Sequence, residues 1–227
     1  MTIHAFTSAP ISDALREPSS NLIPGALDRE LVLASTSGSL RRLLEASGLT
    51  VIVAPPDHEE MNTLRAVLRS MPEPDPADIA ELHVRTKIDG AAARFPGALV
   101  IGAEQVVSLD GRVRETPRTL DAARDLLLEL RGKTHQLHSA IALAEEGQIT
   151  WSNVETANVT MRPLSAQFVD RYLAAAGSQA IGSPGAYELD GIGLQLFEHV
   201  QGAYPAVLGA ALFPLLARLR EIGLMVS

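Results

Sequence analysis

The sequence predicts an α/β fold built on a mixed sheet, and two observations predict it. From residue 31 onward, short apolar runs alternate with segments of helical period, the mark of strand-helix-strand units. Asp110-Gly111 and Glu146-Gly147 then stand between alternating stretches, where such pairs close antiparallel hairpins, so the sheet is not purely parallel.

Residues 1–28 mix Ser, Pro and Asn with single apolar residues and read as a loosely ordered extension, with one domain over residues 29–227. Leu31 to Ala34 is a short buried strand. Ser35, Thr36 and Ser37 follow it, and periodic leucines give a helix over residues 40–47, closed by Gly48, before a strand over residues 50–54. Hydroxyls and free N–H groups at such a helix start bind phosphate, with Arg41 and Arg42 close by; the plainer alternative is an N-cap by Ser37 or Ser39 with solvated arginines. Pro55, Pro56, Pro72, Pro74 and Pro76 bracket residues 61–69, an irregular connection with helical spacing that would edge a cleft.

Asp75 as N-cap with Pro76 at the first helical position starts a helix running toward Arg94 and carrying Lys87. An apolar strand over residues 98–103 continues through residues 106–109, interrupted by Glu104 and Gln105, and turns at Asp110-Gly111. Thr119 caps a helix through Leu130 that Gly132 ends. Residues 135–144 and 149–161 pair as a hairpin, and Ser165 caps a helix closed near Gly177. Residues 182–202 are Gly-rich and read as short strands, and residues 206–222 as one final amphipathic helix.

A chain of 227 residues with 46% hydrophobic content can bury a sizeable core. No stretch reaches the ~18 apolar residues of a membrane helix, and the N-terminus lacks the basic-then-apolar order of a secretion signal, so the expectation is a cytoplasmic protein with no membrane partner. Cysteine is absent, which excludes disulfides, thiolate catalysis and cysteine-held metals. A net charge of -8 and 4% aromatic residues argue against a nucleic acid polymer as partner, since that binding needs clustered cations and stacking platforms. A small nucleotide bound with a metal ion remains compatible.

Three carboxylates and one lysine are candidates for chemistry. Glu104 interrupts an apolar strand, where a charge must be paired, placed at a sheet edge or bound to a cation, and Gly102 before it permits close approach of another group. Glu59, within Asp57-His58-Glu59-Glu60, reads first as part of a solvated acidic loop, and Asp190, before Gly191, as a turn residue. Lys87 reads first as a helix-surface lysine and otherwise as a phosphate contact. His135 and His138, three apart in a strand, point to opposite faces and form no metal pair. No Walker loop, dinucleotide fingerprint, nucleophile elbow or zinc helix occurs, which leaves carboxylate-assisted phosphate chemistry.

The order Leu33-Ala34-Ser35-Thr36-Ser37, Glu59, Lys87, Ile101-Gly102-Ala103-Glu104-Gln105-Val106-Val107, Leu109-Asp110-Gly111, Gly132-Lys133-Thr134-His135 and Gly185-Ala186-Tyr187 resembles the Maf (septum formation) family, over nearly everything from Leu31 to Gly223. The resemblance implies a long twisted mixed sheet with flanking helices in two lobes around a cleft, often assembled as a homodimer. It implies hydrolysis of a nucleoside triphosphate between the α and β phosphates with a divalent metal, Mg²⁺ or Mn²⁺. Glu104 takes the place of the family's catalytic aspartate, Glu59 that of its second acidic residue and Lys87 that of its helix lysine, with Glu59 and Glu104 as metal ligands. Ser35, Ser37 and Arg41 fall on the substrate side, and Gln105 with Asp190 looks like the branch acting on 7-methyl-GTP.

The chain also departs from the family pattern. Leu40 stands where the first arginine of Ser-Pro-x-Arg-Arg belongs, Thr116 and Ser183 replace two lysines, and Ser39 stands where an aromatic ring would stack on a methylated base. With two lysines missing, Arg114 or Lys133 would have to supply phosphate contacts. A second reading, motivated by these departures, is a member that has lost catalysis and binds a nucleotide or a protein partner. A third is hydrolysis of another phosphorylated small molecule.

Overall fold

Leu31–Ala34 forms β1, which lies between β2 (Ile52–Val53) and β3 (Leu99–Leu109), parallel to both. The computed structural model describes residues 30–56, 64 and 74–225. The expected N-terminal extension, Glu59 and, apart from Leu64, the connection over residues 61–69 lie outside the described residues. The β2 strand is shorter than the expected residues 50–54. Both its side chains are exposed, and Pro55 and Pro56 follow, residues without an N–H to continue a ladder.

From β3 onward the sheet is antiparallel. Asp110 and Gly111, both at positive φ, turn the chain into β4 (Arg112–Arg114), while β5 (Thr134–Glu145), β6 (Gln148–Met161) and β7 (Phe197–Gln201) extend the other side. The resulting seven-stranded mixed sheet has the order β2-β1-β3-β5-β6-β7, with β4 also on β3. One detail of this pairing positions everything that follows. β1 covers Leu99 to Gly102 of β3 and β4 covers Val107 to Leu109, so among the described residues Ala103 to Val106 have β5 as their only ladder partner.

Helices cover both faces. On one, Leu40 and Leu44 of α1 (Gly38–Ala46) pack with Leu33, Leu99, Ile101 and the last helix. On the other, α2 (Pro76–Arg94) lays Val84 and Ile88 over Val32, Val100 and Ala142. A third core joins α3 (Leu120–Leu130) and α4 (Ala166–Ala176) to Leu137, Val159 and Met161. Asp75, Thr119 and Ser165 cap their helices as their sequence positions require, each accepting a backbone N–H. No helix among the described residues is long and apolar enough to cross a membrane.

Two expectations are corrected toward the C-terminus. The Gly-rich region over residues 182–202 holds 3₁₀ turns at Pro184–Ala186 and Ile192–Leu196 and supplies a single strand, β7, in place of several. Gly182, Gly185 and Ala186 take positive φ there, which no ladder accommodates. The single last helix is two, α5 (Tyr204–Val207) and α6 (Leu212–Glu221). A continuous helix would drive the Pro214 ring into the carbonyl of residue 210, so the helix restarts at Leu212 and Pro214 falls in its first turn.

α2 approaches β3 closely because residue 102 has no side chain. A Cβ there would stand 2.6 Å from Ile88 Cγ1 and 3.0 Å from Val84 Cγ1, both in residues with almost no solvent exposure. Gly102→Ala is therefore expected to destabilise the fold by about 1–3 kcal/mol despite the lower backbone entropy of alanine. Urea denaturation of the two proteins measures this, and an alanine variant at least as stable as the parent would refute the tight contact.

Candidate active site

The uncovered stretch of β3 forms the floor of a cleft lined by Ser35, Ser37, Lys87, Glu104, Gln105 and Asp190 among others, drawn from the starts of α1 and α2, from β4 and from the Gly-rich turns. Glu104 points to the α2 face. Its Oε2 lies 2.9 Å from Lys87 Nζ, and Oε1 accepts the Gln105 N–H at 2.8 Å. Lys87 is 5% exposed and also donates to the Ala103 carbonyl at 3.0 Å. Two of the backbone groups on the uncovered edge are thus satisfied by this lysine and by the glutamate itself. Among the described residues these contacts take two of the three ammonium N–H groups, leaving one for a ligand.

His83 joins the pair. Four residues before Lys87, it lies on the same face of α2, and its buried Nδ1 is 3.4 Å from Glu104 Oε2 with no hydrogen-bond partner among the described residues. Sequence reasoning missed His83, although the four-residue spacing from Lys87 was the signal. Burial alone would raise the Glu104 carboxyl, but the Lys87 charge first, with His83 beside it, outweighs burial and brings it from the ordinary 4.5 to about 2. Glu104 is therefore a carboxylate at every working pH, with a fifth of its side chain open to the cleft.

Gln105, one residue on, faces the opposite side of the sheet. Its Nε2 donates to Ser139 Oγ at 3.0 Å and to the Ala206 carbonyl at 3.1 Å, while Ser139 Oγ donates to Ala206 in turn. Both groups facing Nε2 are acceptors, which fixes the amide orientation. The oxygen Oε1 is left on the side of Gly209, where an added Cβ would stand 3.8 Å from it.

At the start of α1, Ser37 is the N-cap, accepting Leu40 N–H at 3.1 Å, and Ser35 Oγ accepts Ser37 N–H at 3.2 Å. Both hydroxyls still have an O–H to donate, and the Gly38 and Ser39 N–H groups, in the first turn, have no partner within the helix. Cap and anion cradle are thus compatible. The structure does not bring Arg41 to the cleft: it pairs with Glu45 one turn on, at 2.7 Å, with more than half of its side chain exposed. Its neighbour Arg42 reaches the mouth instead, its Nη2 contacting Asp190 Oδ2 at 2.5 Å and Ser39 Oγ at 3.0 Å.

Behind the cleft, His135 Nε2 and the Tyr187 hydroxyl meet at 2.6 Å, holding the turn that contains Gly185 and Ala186. Burial lowers His135 to about 4 and raises the Tyr187 phenol, so both stay neutral and structural. His138 is on the other face, against Ser108 and Thr156.

Residues 30–222 match the family described as Maf-like protein. The chain belongs to the Maf family. It is 40% identical to a 7-methyl-GTP pyrophosphatase of Rhizobium etli, over 86% of this chain and 96% of that protein, and 41% identical to one of Rhizobium meliloti, over 85% and 96%. Among solved structures, that of the Staphylococcus aureus Ham1 protein covers 60% of this chain and 73% of that one at 16% identity and a TM-score of 0.39, a likeness too loose to bear on function.

Against the Maf pattern, Leu40 in the first arginine's place is fully buried and lies in the core under α1. Thr116 and Ser183, in the places of the two lysines, both line the cleft, and the intervening segments are tied by Gly182 N–H donating to the Pro117 carbonyl at 2.9 Å. Of the two cations expected as substitutes, Arg114 lines the cleft but forks onto Glu129 at 2.9 and 2.7 Å, and Lys133 is not among the lining residues. Arg118 is exposed on that wall, with no ion-pair partner among the described residues.

The depressed Glu104 carboxyl makes stability depend on pH. Its folded value, about 2, lies below the ordinary 4.5, so the stabilisation is fully present above pH 4.5 and is lost as pH falls from 4.5 through 2. Chemical denaturation without added divalent cation is expected to show the difference between parent and Glu104→Gln constant above about pH 5 and shrinking below pH 4.5. A difference independent of pH down to 2.5 would contradict the pairing.

Proposed function

We propose that this chain is a nucleoside triphosphate pyrophosphatase acting in the cytoplasm on a nucleotide with a guanine-type base, 7-methyl-GTP or its unmethylated counterpart. The observation that carries the reading is the Lys87–Glu104 pair set into the uncovered stretch of β3, a carboxylate ionised near neutral pH with a buried ammonium beside it at the floor of a cleft. Kinship with enzymes named for 7-methyl-GTP supports it.

Water attacks the α-phosphorus, the bond from that phosphorus to the oxygen bridging to the β-phosphorus breaks, pyrophosphate leaves with the bond's electron pair, and the proton released by the water passes to solvent. Lys87 offers its remaining N–H to a phosphate oxygen at the reacting centre. The N–H groups of Gly38 and Ser39 and the hydroxyls of Ser35 and Ser37 hold phosphate oxygens at the helix start. Arg118 faces the distal phosphates from the opposite wall. With its carboxyl at about 2, Glu104 is too weak a base to keep a proton near neutral pH, and its role is to orient the attacking water and to bind a cation.

The donor set fits Mg²⁺ or Mn²⁺ in one manner. Among the described residues no group of three or more His, Asp or Glu side chains could cage a metal ion, whereas a single carboxylate together with substrate phosphates is the way such ions are commonly held. Glu104 would hold the ion, with Glu59 as a proposed second ligand. The ion, when bound, neutralises phosphate charge and lowers the pKa of water.

The base preference follows from acceptors. Gln105 presents Oε1 and Asp190 a carboxylate, so the complementary base edge is one that donates, as N1–H and the exocyclic amine of guanine do. A uracil edge offers one donor between two acceptors and fits poorly.

Purified protein with Mg²⁺ or Mn²⁺ is expected to release pyrophosphate from guanine-type triphosphates, and Glu104→Gln to lower kcat by about 100-fold or more with the fold retained by circular dichroism. Failure of every triphosphate beside a working control enzyme would remove the catalytic claim. The buried Leu40 favours a second reading, a member that binds without hydrolysing, for which nucleotide would raise Tm while no pyrophosphate forms.

A further inference from the structure

Asp190, proposed above as a base contact, is already occupied. Its Oδ2 takes Arg42 Nη2 at 2.5 Å and Ser39 Oγ at 3.0 Å, and these partners come from the far side of the cleft mouth, about 150 residues away in sequence. The contact joins an Arg42 side chain that is 63% exposed to an Asp190 side chain that is 23% exposed, with Ser39 between them. The Arg42 guanidinium lies back over Gly38, where an added Cβ would be in ordinary van der Waals contact with Nη1 at 3.4 Å. Ser39 donates to the carboxylate and accepts from the same Nη2. Partial burial raises the Asp190 carboxyl, but hydrogen bonds from Arg42 and Ser39 more than offset this and keep it ionised.

A free carboxylate at this position would attract a base bearing positive charge. Guanine methylated at N7 is such a base, its imidazole ring carrying a delocalised cation, whereas unmethylated guanine is neutral. A carboxylate paired with a guanidinium has little net charge to offer, and Ser39 supplies no aromatic face over which a cationic ring could stack.

We propose that Arg42 is a specificity-determining residue, which neutralises Asp190 at the cleft mouth and thereby shifts the preference of this chain from 7-methyl-GTP toward nucleotides with an uncharged guanine. The inference rests on the reading of Asp190 as the base contact. Arg42 also engages one carboxylate oxygen, so the base meets chiefly Oδ1, which further weakens two-point recognition.

The test compares kcat/KM for 7-methyl-GTP and GTP, and the affinities of both nucleotides by calorimetry, in the full chain and its variants. Arg42→Gln is expected to raise the 7-methyl-GTP to GTP ratio about threefold to tenfold, the range for one partly screened charge. Arg42→Lys should hold the ratio near the parent value, and the gain should vanish when Asp190→Asn is added, which a merely structural role for Arg42 would not produce. An unchanged or lowered ratio in Arg42→Gln, or an equal loss of both substrates as expected of a phosphate contact, overturns the proposal. Absence of turnover sinks the catalytic reading while the affinity ratio still decides this one, and if neither nucleotide binds, both fall together.

Discussion

The salt link between Lys87 and Glu104 is the constraint to which the rest of the structure is fitted. Removing two charges from water costs several kcal/mol per ion, so the pair is tolerable only where both groups are completed by other contacts. The gap in the sheet meets that condition. β1 ends at Ala34, opposite Gly102, and β4 ends at Arg114, opposite Val107, which leaves the Ala103 carbonyl and Gln105 N–H free to take the ammonium and the carboxylate. Gly102 lets α2 press near enough for Lys87 to arrive, and Val84 and Ile88 hold the helix down on either side of that glycine. Core packing and a polar pair are one construction here.

Much of this was legible in the sequence because period and punctuation are local properties. The strands around Ile101 and Leu137, the turns at Asp110-Gly111 and Glu146-Gly147 and the caps at Asp75, Thr119 and Ser165 each follow from a few neighbouring residues. Glu104 stood out because a charge in an apolar strand needs a reason. The identity of that reason did not, since Lys87 reads as a surface lysine until the helix is laid across β3, and His83 gains meaning only once Lys87 is placed. The Gly-rich region misled as strands because positive φ at Ala186 cannot be read from an alanine.

A chain with net charge of -8 repels polyphosphate at long range, and the structure pairs several of its cations with carboxylates. Lys87 is bound to Glu104, Arg114 to Glu129, Arg41 to Glu45 and Arg42 to Asp190. Pairing keeps each guanidinium or ammonium oriented, and it also lowers the attraction each exerts at long range. On the proposed reading, association with a triphosphate draws on the backbone donors at the start of α1, on Arg118 and on any metal ion the nucleotide brings, rather than on a broad positive field.

The register of α1 explains why its two arginines have different fates. Leu40 and Leu44, one turn apart, are the only fully buried side chains of the helix and fix its rotation against Leu33 and Ile101. An arginine in place of Leu40 could not share that position with the core. Arg41 is turned aside and finds Glu45 one turn ahead. Arg42 lies roughly opposite the buried stripe, but helical side chains lean toward the N-terminus, which carries its guanidinium back over Gly38 to Ser39 and Asp190. On the proposed reading the helix thereby places its cation at the base end of the cleft rather than at the phosphate end, so the cost falls on phosphate binding and the consequence for selectivity falls on the base.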